Sequence, residues 1–448
     1  MSMVLASHAP PLWAVTPFLG LLLSIALLPL IRATRHWWED NRSRLLVSMF
    51  FAALTLGYYF FAAGLHAVQH TLHHAILDEY IPFIVLLFAL YVISGGISLQ
   101  GDLPAHPPTN TAFLALGSVL ANLIGTTGAS MLLIRPLLQT NSERRHVRHT
   151  VIFFIFLVSN IGGTLLPIGD PPLFLGYLRG VPFFWTARLV IPWLVTVVML
   201  LVIYYLVDMY YYRHETPGAL TRDEAVLRPL HLSGGINFLW LIGVVAAVAT
   251  IRHGERVFGL PLTDMPYFRE LVMLALVAVS LICTPRHVRE QNRFHYGPII
   301  EVAVLFAGIF ICMQPPIEIL RGAGESLARV IHQPWHFFWA TGILSSFLDN
   351  APTYVVFFES AVAITPPETT AQIVVTDGGQ VLNSLLRAVS LGAVFMGAMT
   401  YIGNGPNFMV KSIAEQNRVP MPGFFGYMIY SCTILVPIFA LLTWLFLI

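Results

Sequence analysis

The chain has 448 residues, of which 56% are hydrophobic and 10% are charged, and its net charge is +1. A soluble globular protein carries about 25% charged residues, so this composition excludes an ordinary soluble domain. The near-neutral charge also argues against a nucleic-acid partner. The three cysteines lie far apart in apolar segments, which argues against a disulfide framework or a zinc site. We expect an all-α polytopic membrane protein whose partners are the lipid bilayer and a small ion, without a cofactor.

Apolar segments of about 20 residues predict ten membrane crossings. Two further apolar stretches, 111–138 and 336–363, hold small and polar residues at their centres, and we interpret them as re-entrant hairpins. The predicted crossings lie near 12–31, 45–65, 82–99, 149–178 (broken), 188–207, 236–251, 269–284, 298–314, 388–411 (broken) and 424–447.

Arginine placement predicts the orientation, because cytoplasmic loops are enriched in basic residues. Loops 32–44, 139–149 and 284–297 hold arginine clusters and fall on one side if 111–138 enters and leaves by the same face. This pattern predicts a multi-pass protein of the inner (plasma) membrane with both termini outside. The expected divisions are N-terminal helices 1–81, a first repeat 82–207, a cytoplasmic linker 208–235, connecting helices 236–297, and a second repeat with the last helix, 298–448.

The crossing at 149–178 cannot be a continuous helix. Residues 159–172 read S-N-I-G-G-T-L-L-P-I-G-D-P-P, and their glycines and prolines disfavour a helix. In the hydrocarbon region, freed backbone groups are tolerated only where protein or a water-filled cavity satisfies them. A broken helix that carries a carboxylate, here Asp170, is typical of an ion or substrate site in a transporter.

The chain repeats itself in order. Leu-Phe-Ala at 87–89 is repeated at 305–307. Ala-Asn at 121–122 corresponds to Asp-Asn at 349–350, and the break I-G-D-P-P at 168–172 corresponds to I-G-N-G-P at 402–406. In the predicted topology 83–99 runs inward and 298–314 runs outward. The halves are therefore predicted to be inverted repeats, an arrangement of many secondary transporters.

The hairpin tips and helix breaks are the predicted binding site. Asp170 and Asp349 are expected to bind a cation such as Na⁺ and protons competitively, because carboxylate oxygens suit hard cations. The simpler alternative is that both aspartates only cap half-helices. Neutral ligands and the glycines at the breaks complete the predicted set: Asn122, Thr126, Thr127, Asn160, Asn350, Thr353, Asn404, Gly163 and Gly403.

Other charged and polar residues are weaker candidates. Lys411, the only lysine, is a candidate counter-charge to the aspartates, with an interface anchor as the alternative. His66, His70, His73 and His74 would share one face of a helix and bind a metal or sense pH, or else form a solvated loop. Glu301 and Glu359 are further buried-charge candidates. No His-Glu-x-x-His or Gly-x-Ser-x-Gly motif occurs, so an enzyme is not expected.

These motifs resemble the ion transporter superfamily, which includes arsenite permeases, citrate permeases and NhaD-type sodium/proton antiporters. Residues 159–170 are similar to that group's N-x-G-G … S-P-I-G-D break, and residues 347–352 are similar to its V-x-D-N-V-P hairpin. The resemblance implies an inverted-repeat fold in which hairpins and broken helices move as a unit, an elevator, often in a homodimer.

Two departures from the group's pattern concern function. Ala121 stands where NhaD-type antiporters carry Asp, and Pro171-Pro172 replace a Val-Thr pair. The first expectation is nevertheless a Na⁺/H⁺ antiporter that uses Asp170 and Asp349. The alternative in the same class is a transporter of a small anion such as citrate or another carboxylate, or of arsenite. An ion channel or an intramembrane enzyme would be distinguished by flux against a gradient.

Overall fold

The structure is a computed structural model that describes residues 10–29, 31, 33–38, 40–225, 228–251, 265–322, 326, 329–366 and 371–448. Helices dominate it, as the long apolar segments predict. Those of the first half are α1 (Thr16–Leu27), α2 (Arg35–Trp38), α3 (Asn41–Leu72), a π-helix (His73–Tyr80), α4 (Ile81–Ser94), α5 (Pro107–Thr140), α6 (Arg148–Leu157), α7 (Pro171–Leu178), α8 (Val190–Tyr212) and α9 (Pro217–Ala225).

The second half continues in the same way, and two short antiparallel ladders are added, β1 with β2 and β3 with β4. Its helices are α10 (Asn237–Thr250), α11 (Phe268–Cys283), α12 (Arg286–Gln291), α13 (Gly297–Cys312), α14 (Gln314–Gly322), α15 (Pro334–Phe347), α16 (Asn350–Ile364), α17 (Asn383–Met396), α18 (Gly405–Gln416) and α19 (Phe424–Phe446). The strands are β1 (Ser98–Asp102), β2 (Arg228–Ser233), β3 (Ile373–Thr376) and β4 (Gly379–Leu382).

The predicted all-α membrane class is confirmed. Within the described residues, five helical stretches are long and apolar enough to cross a membrane. Shorter apolar helices lie near three of the other predicted crossings: Leu12–Leu27, Asn237–Thr250 and Asn383–Met399. The five stretches are Asn41–Ser94, Pro107–Thr140, Phe183–Tyr212, Gly297–Gly322 and Phe424–Phe446.

The length of α5 would suggest a single membrane crossing, but this helix folds back on itself. Gly125 interrupts it with φ 75° and ψ 155°, in the left-handed region that glycine adopts at little cost. Asn110 and Asn141, near the two ends, donate hydrogen bonds to each other's Oδ1 atoms at 2.9 and 2.8 Å. A straight helix would separate them by roughly 46 Å at 1.5 Å per residue. The predicted first hairpin is therefore present, with its tip at Gly125.

A second hairpin joins α15 and α16, with Leu348 and Asp349 at its tip. The rings of Phe337 and Phe357, one from each arm, lie 6.4 Å apart. Twenty residues of continuous helix would place them about 30 Å apart. The apolar stretch 336–363 thus turns back where the Asp-Asn-Ala-Pro sequence interrupts it.

The two predicted broken helices are present. The first is α6, a short 3-10 turn (Ile161–Thr164), an irregular segment and α7; the second is α17, a 3-10 turn (Gly397–Met399), an irregular segment and α18. They lie antiparallel to each other. Arg148 at the start of the first donates to the Pro420 carbonyl after the second, at 2.7 Å. Asp377 N, before the second, donates to the Arg179 carbonyl that follows α7, at 3.0 Å.

The helices that carry the repeated Leu-Phe-Ala also run antiparallel. Tyr80, beside the start of α4, donates to the Ala303 carbonyl, and Tyr91, near its end, donates to the His295 carbonyl before α13. Advancing along α4 therefore means going backwards along α13. Corresponding elements of the two halves thus contact each other in opposite directions.

Two regions differ from the sequence-based expectation. In the described residues of the predicted linker 208–235, α9 forms and β2 pairs with β1. Alternation is weak in β1, whose sequence S-L-Q-G-D holds a glycine, so this ladder had no clear sequence signal. The region 66–80, between the predicted crossings 45–65 and 82–99, is a helical continuation of α3 and a π-helix, so the helical alternative for its histidines is the one observed.

Candidate functional site

The four interrupted elements meet at one carboxylate. Asp170 is 1% exposed and precedes the first turn of α7. Its Oδ1 accepts from Thr126 Oγ1 and from Asn404 Nδ2, both at 2.9 Å, and its Oδ2 accepts from Asn350 Nδ2 at 2.7 Å. The donors come from the first hairpin, the second break and the second hairpin. The sequence-predicted Asp170, Thr126, Asn350 and Asn404 therefore lie in direct contact.

In each helix break, two glycines bring two backbone segments of the same break into direct contact. A Cβ on Gly163 would lie 2.7 Å from the Gly169 carbonyl oxygen, and one on Gly403 would lie 2.6 Å from the Gly397 carbonyl oxygen. Real side chains do not approach backbone so closely, so both crossings need a residue without Cβ. The two glycine pairs stand 234 positions apart, which is the offset between the repeated breaks. Gly163 and Gly403 thus shape the site through backbone geometry.

The first hairpin is fastened to the first break by backbone and amide groups. Thr126 N donates to the Gly169 carbonyl at 2.8 Å. Asn122 Oδ1 accepts from Leu165 N at 2.6 Å, and Asn122 Nδ2 donates to the Ser118 carbonyl at 3.1 Å. Asn122 therefore holds the tip in place without contacting Asp170. Thr127 is half-buried at the same tip.

Asp349 occupies the N-terminal end of α16. Its Oδ1 accepts from Ala351 N at 3.0 Å, and Thr353 Oγ1 donates to its backbone carbonyl at 3.0 Å. Asp349 is half-buried and makes no hydrogen bond to Asp170, but its neighbour in the chain, Asn350, donates to Asp170 Oδ2. Its contacts are those of a helix cap, while its ion-binding role stays a prediction.

An amide cluster lies beside Asp170. Asn160 Nδ2 donates to Asn407 Oδ1 at 2.7 Å, and Asn407 Nδ2 donates to the Gly397 and Thr400 carbonyls at 2.8 and 2.9 Å. The Oδ1 atoms of Asn160 and Asn350 are buried without a hydrogen-bond partner. Such groups are rare in proteins and are normally completed by water, an ion or a ligand. Two acceptor oxygens without a donor fit a bound cation better than a bound anion.

Asn407 is a site residue that sequence reasoning missed. Its partner position in the first break, 234 residues earlier, is Leu173, so the repeat does not mark it. The available signal was an asparagine directly after Asn-Gly-Pro in the first turn of an apolar half-helix. Ser130 and Ser159, whose hydroxyls lie 2.8 Å apart, were also missed; the Ser159 carbonyl accepts from Asn404 Nδ2 at 3.1 Å.

Lys411 does not reach the aspartates. Its ammonium donates to both carboxylate oxygens of Glu415 at 2.8 Å, one turn further along α18. The rings of Tyr401 and Phe408 lie 5.6 and 5.8 Å from it. These contacts match the anchor interpretation, and the counter-charge assigned to Lys411 is not among its contacts.

The remaining candidates lie away from the breaks. Glu301 pairs with Arg44 at 3.0 Å, and Glu359 pairs with Arg179 at 3.3 Å and with Arg321 at 2.9 Å. His73 approaches Asp78 at 3.6 Å, and His66, His70 and His74 continue along the same helical stretch. In the described ranges no group of three or more His, Cys, Asp or Glu side chains could hold a metal ion.

No basic side chain in the described part of the chain contacts Asp170 or Asp349; the ion pairs of that part all lie elsewhere. The site therefore offers two carboxylates, neutral amides and hydroxyls, and the first turns of α7, α16 and α18. The positive ends of the helix dipoles at those first turns attract anions, and the carboxylate and amide oxygens attract cations. The arrangement can hold both at once.

Comparison with known proteins places this geometry in a family. A family model described as "Putative citrate transport" matches residues 7–447, which is nearly the whole chain. No curated protein matches the chain. The resemblance to the ion transporter superfamily and its citrate permeases, read from the break and hairpin motifs, is confirmed. The chain therefore belongs to the family described as "Putative citrate transport".

Proposed function

We propose that this protein is a secondary transporter that carries a small carboxylate such as citrate together with a cation that binds at Asp170. The family supports the carboxylate. The site supports the cation, because it combines a buried carboxylate with amide oxygens that have no hydrogen-bond donor. The expected Na⁺/H⁺ exchange has no such family support and becomes the second candidate.

One observation carries the proposal: Asp170 is held only by neutral donors. A buried carboxylate is destabilised unless hydrogen bonds and a proton or cation compensate its charge. A citrate anion approaching an uncompensated Asp170 would be repelled. A cation bound there first would remove that repulsion and present the substrate with a positive charge. Binding of the cation and of the carboxylate would thus be coupled.

The carboxylate substrate would bind at the N-terminal ends of α7, α16 and α18. The chain enters α7, α16 and α18 at Pro171, Asn350 and Gly405, all next to the Asp170 cluster. Their first turns present the positive ends of helix dipoles, although they offer few N–H donors, because Pro171, Pro172, Pro352 and Pro406 have none. A polycarboxylate contacting two or three of these helix ends would need no arginine in the site.

The predicted membrane architecture is part of the proposal. It comprises ten crossings, two re-entrant hairpins, inverted repeats, an elevator-like movement of hairpins and breaks, and a homodimer in the plasma membrane. The antiparallel contacts between the two broken helices and between α4 and α13 support the inversion. The direct contact between Asp170 and its repeat partner Asn404 fits a pseudo-two-fold axis that passes through the site.

Na⁺/H⁺ exchange is favoured by a different aspect of the same site. Asp170 and Asp349 belong to one site, because Asn350, next to Asp349 in the chain, donates to Asp170, and in the described part of the chain neither has a basic partner. Each would therefore bind a proton or a cation in competition. Exchange needs only that competition and no anion. Arsenite transport, in contrast, has no observation in its favour beyond the resemblance to the superfamily.

A flux experiment separates these functions. Purified protein in proteoliposomes is given labelled citrate under an imposed Na⁺, Mg²⁺ or proton gradient, and a pH-sensitive dye records exchange without citrate. We expect citrate to accumulate only with a cation gradient. Cation-driven pH change without citrate would favour the antiporter, and citrate entry that never exceeds equilibrium would indicate a channel.

A further inference from the structure

A second polar cavity lies outside the transport site. Its volume is about 890 Å³, and it lies between the end of the first hairpin, the start of α6, the segment after α18 and the cytoplasmic ends predicted for α8 and α19. No aspartate or glutamate lines it. Six arginines do: Arg135, Arg144, Arg145, Arg148, Arg293 and Arg418.

Most of this positive charge is uncompensated. Arg144 is neutralised by Asp208 at 2.6 Å, but in the described ranges no carboxylate pairs with the other five arginines. Arg135 Nη1 is buried and has no hydrogen-bond partner. The Glu215 carboxylate lies behind the lining: it accepts from the backbone nitrogens of Arg145 and His146 at 3.0 and 2.8 Å and lies 3.9 Å from Arg144 Nε. Burial alone would raise the pKa of Glu215, but these hydrogen bonds lower it below its ordinary value.

Two of the arginines stand where the backbone favours glycine. Arg293 and Arg418 have φ angles of 48° and 63°, and among described non-glycine residues only Tyr267 shares this left-handed region. Each follows the end of a helix in a Schellman motif: Phe294 N donates to the Arg289 carbonyl at 2.9 Å, and Val419 N donates to the Ala414 carbonyl at 3.0 Å. Glycine is the usual residue at this position. Two unrelated helix ends thus place a strained arginine against the same cavity.

The tendency of cytoplasmic loops to be basic explains only part of this pattern. That tendency accounts for the sign of the charge and its side of the membrane. It does not require left-handed arginines, and it does not require arginines from separate segments to converge. Backbone strain that persists at two lining residues is typical of a binding site.

The walls indicate what binds. Below the arginines the cavity is lined by apolar side chains of three helices, among them Ile152, Phe153, Val207 and Ile434. Helices α8 and α19 also carry exposed apolar residues toward their predicted cytoplasmic ends, such as Leu206 at 62% and Ile429 at 69%. The cavity therefore joins an arginine-rich rim to an apolar, membrane-facing surface. A soluble polyanion gains no binding free energy from this apolar surface, whereas acyl chains gain it by burying their own apolar surface there.

We propose that this cavity binds the phosphate headgroup of an anionic phospholipid, with the acyl chains along α8 and α19. Basic pockets between membrane helices on the cytoplasmic side recognise such headgroups through guanidinium–phosphate hydrogen bonds. The cavity borders both the first hairpin and α6, so a bound lipid would brace the base of the elements that form the transport site.

The experiment uses native mass spectrometry of the full-length protein titrated with dioleoylphosphatidylglycerol or dioleoylphosphatidylcholine. The test variant is the double substitution Arg293→Gly, Arg418→Gly, which removes two charges while relieving the strained backbone and so preserves folding. The matched control is Arg286→Gln, an exposed arginine at the start of α12 that does not line the cavity. Melting temperatures are recorded for all three proteins.

We expect wild-type protein and Arg286→Gln to bind phosphatidylglycerol in preference to phosphatidylcholine. The double variant should bind phosphatidylglycerol about 25-fold more weakly, about fivefold per arginine, and melt at the same or a higher temperature without lipid. Unchanged phosphatidylglycerol affinity in the double variant, or equal affinity for both lipids in the wild type, would overturn the proposal. Displacement of the lipid by soluble citrate that depends on Arg293 and Arg418 would overturn the lipid as ligand.

Discussion

At the scale of single residues, Asp170 connects four pieces of chain that are distant in sequence. Thr126, Asn350 and Asn404 each donate one hydrogen bond to it. Charge-assisted hydrogen bonds of this kind contribute about 1.5–3 kcal/mol each. Three of them orient the carboxylate but leave its charge formally unneutralised. Cation binding requires such a site, in which the carboxylate is held in a fixed position and its negative charge has no basic partner.

Substitutions of Asp349 can test its role in ion binding, because its helix-capping hydrogen bond and its negative charge can be removed separately. Asparagine caps a helix about as well as aspartate, so Asp349→Asn should leave the melting temperature unchanged. If the charge takes part in ion binding, this variant should lose transport at least tenfold. Asp349→Ala should in addition lose about 1 kcal/mol of stability with the cap to Ala351 N. Normal citrate uptake by Asp349→Asn would reduce Asp349 to a structural cap.

The sequence predicted the central residues because polar groups inside an apolar, glycine-rich break have few structural explanations. Asp170, Asn350 and Asn404 satisfied that argument, and the structure brings them into contact. It failed for Asn407, which lies in a helical turn where an asparagine can be merely tolerated. For Lys411 the sequence left two interpretations, a counter-charge to the aspartates or an interface anchor, and its contact with Glu415, four residues away, agrees with the anchor.

At the scale of elements, the breaks depend on paired glycines whose backbones cross. A Cβ on Gly169 would overlap the carbonyl of Gly163, whereas a Cβ on Gly405, in the second break, would meet nothing within 4 Å. We expect Gly169→Ala to lose about 1–3 kcal/mol of stability and to disturb the Asp170 contacts. Gly405→Ala should be neutral. Thermal unfolding in detergent compares the two, and equal melting temperatures would show that the crossing is not required.

The outer ends of these elements are joined by a buried charge network. Arg179, after α7, pairs with Glu79 of the π-helix and with Glu359 of α16, and Arg321 also binds Glu359. Replacing Arg179 with Met would leave two buried carboxylates short of a partner. We expect a loss of about 3–5 kcal/mol. Arg188→Met, at an exposed arginine nearby, is the control. A melting temperature of Arg179→Met equal to that of the control would contradict this role.

Element types were largely predictable from the sequence, because long apolar runs and glycine-proline interruptions leave few alternatives in a membrane protein. The hairpins followed from polar residues at the centres of apolar stretches. The pairing of β1 with β2 did not, because their contact is long-range and neither strand alternates strongly. The helical course of 66–80 was hidden by its histidines, which suit a loop or a helix equally.

At the scale of the whole molecule, the account depends on the first hairpin entering and leaving by one membrane face. Pro108 and Ser142, beside its two ends, are both exposed. Single cysteines placed there in a background without the three native cysteines should both react with a membrane-impermeant maleimide from the same side. Labelling from opposite sides would show a full crossing and would reverse the predicted orientation of everything that follows.

The central claim is that the Asp170 carboxylate couples a cation to carboxylate transport. The most direct measurement is labelled-citrate counterflow in proteoliposomes, with and without cation, for wild type, Asp170→Asn and Asp78→Asn. Asp78 is an exposed aspartate outside the site, so its variant controls for the loss of one charge. Wild type and Asp78→Asn should exchange citrate only when the cation is present, and Asp170→Asn should lose at least 90% of the exchange while it stays folded, about 1.4 kcal/mol or more in the barrier. Cation-dependent citrate exchange by Asp170→Asn at the wild-type rate would contradict the account.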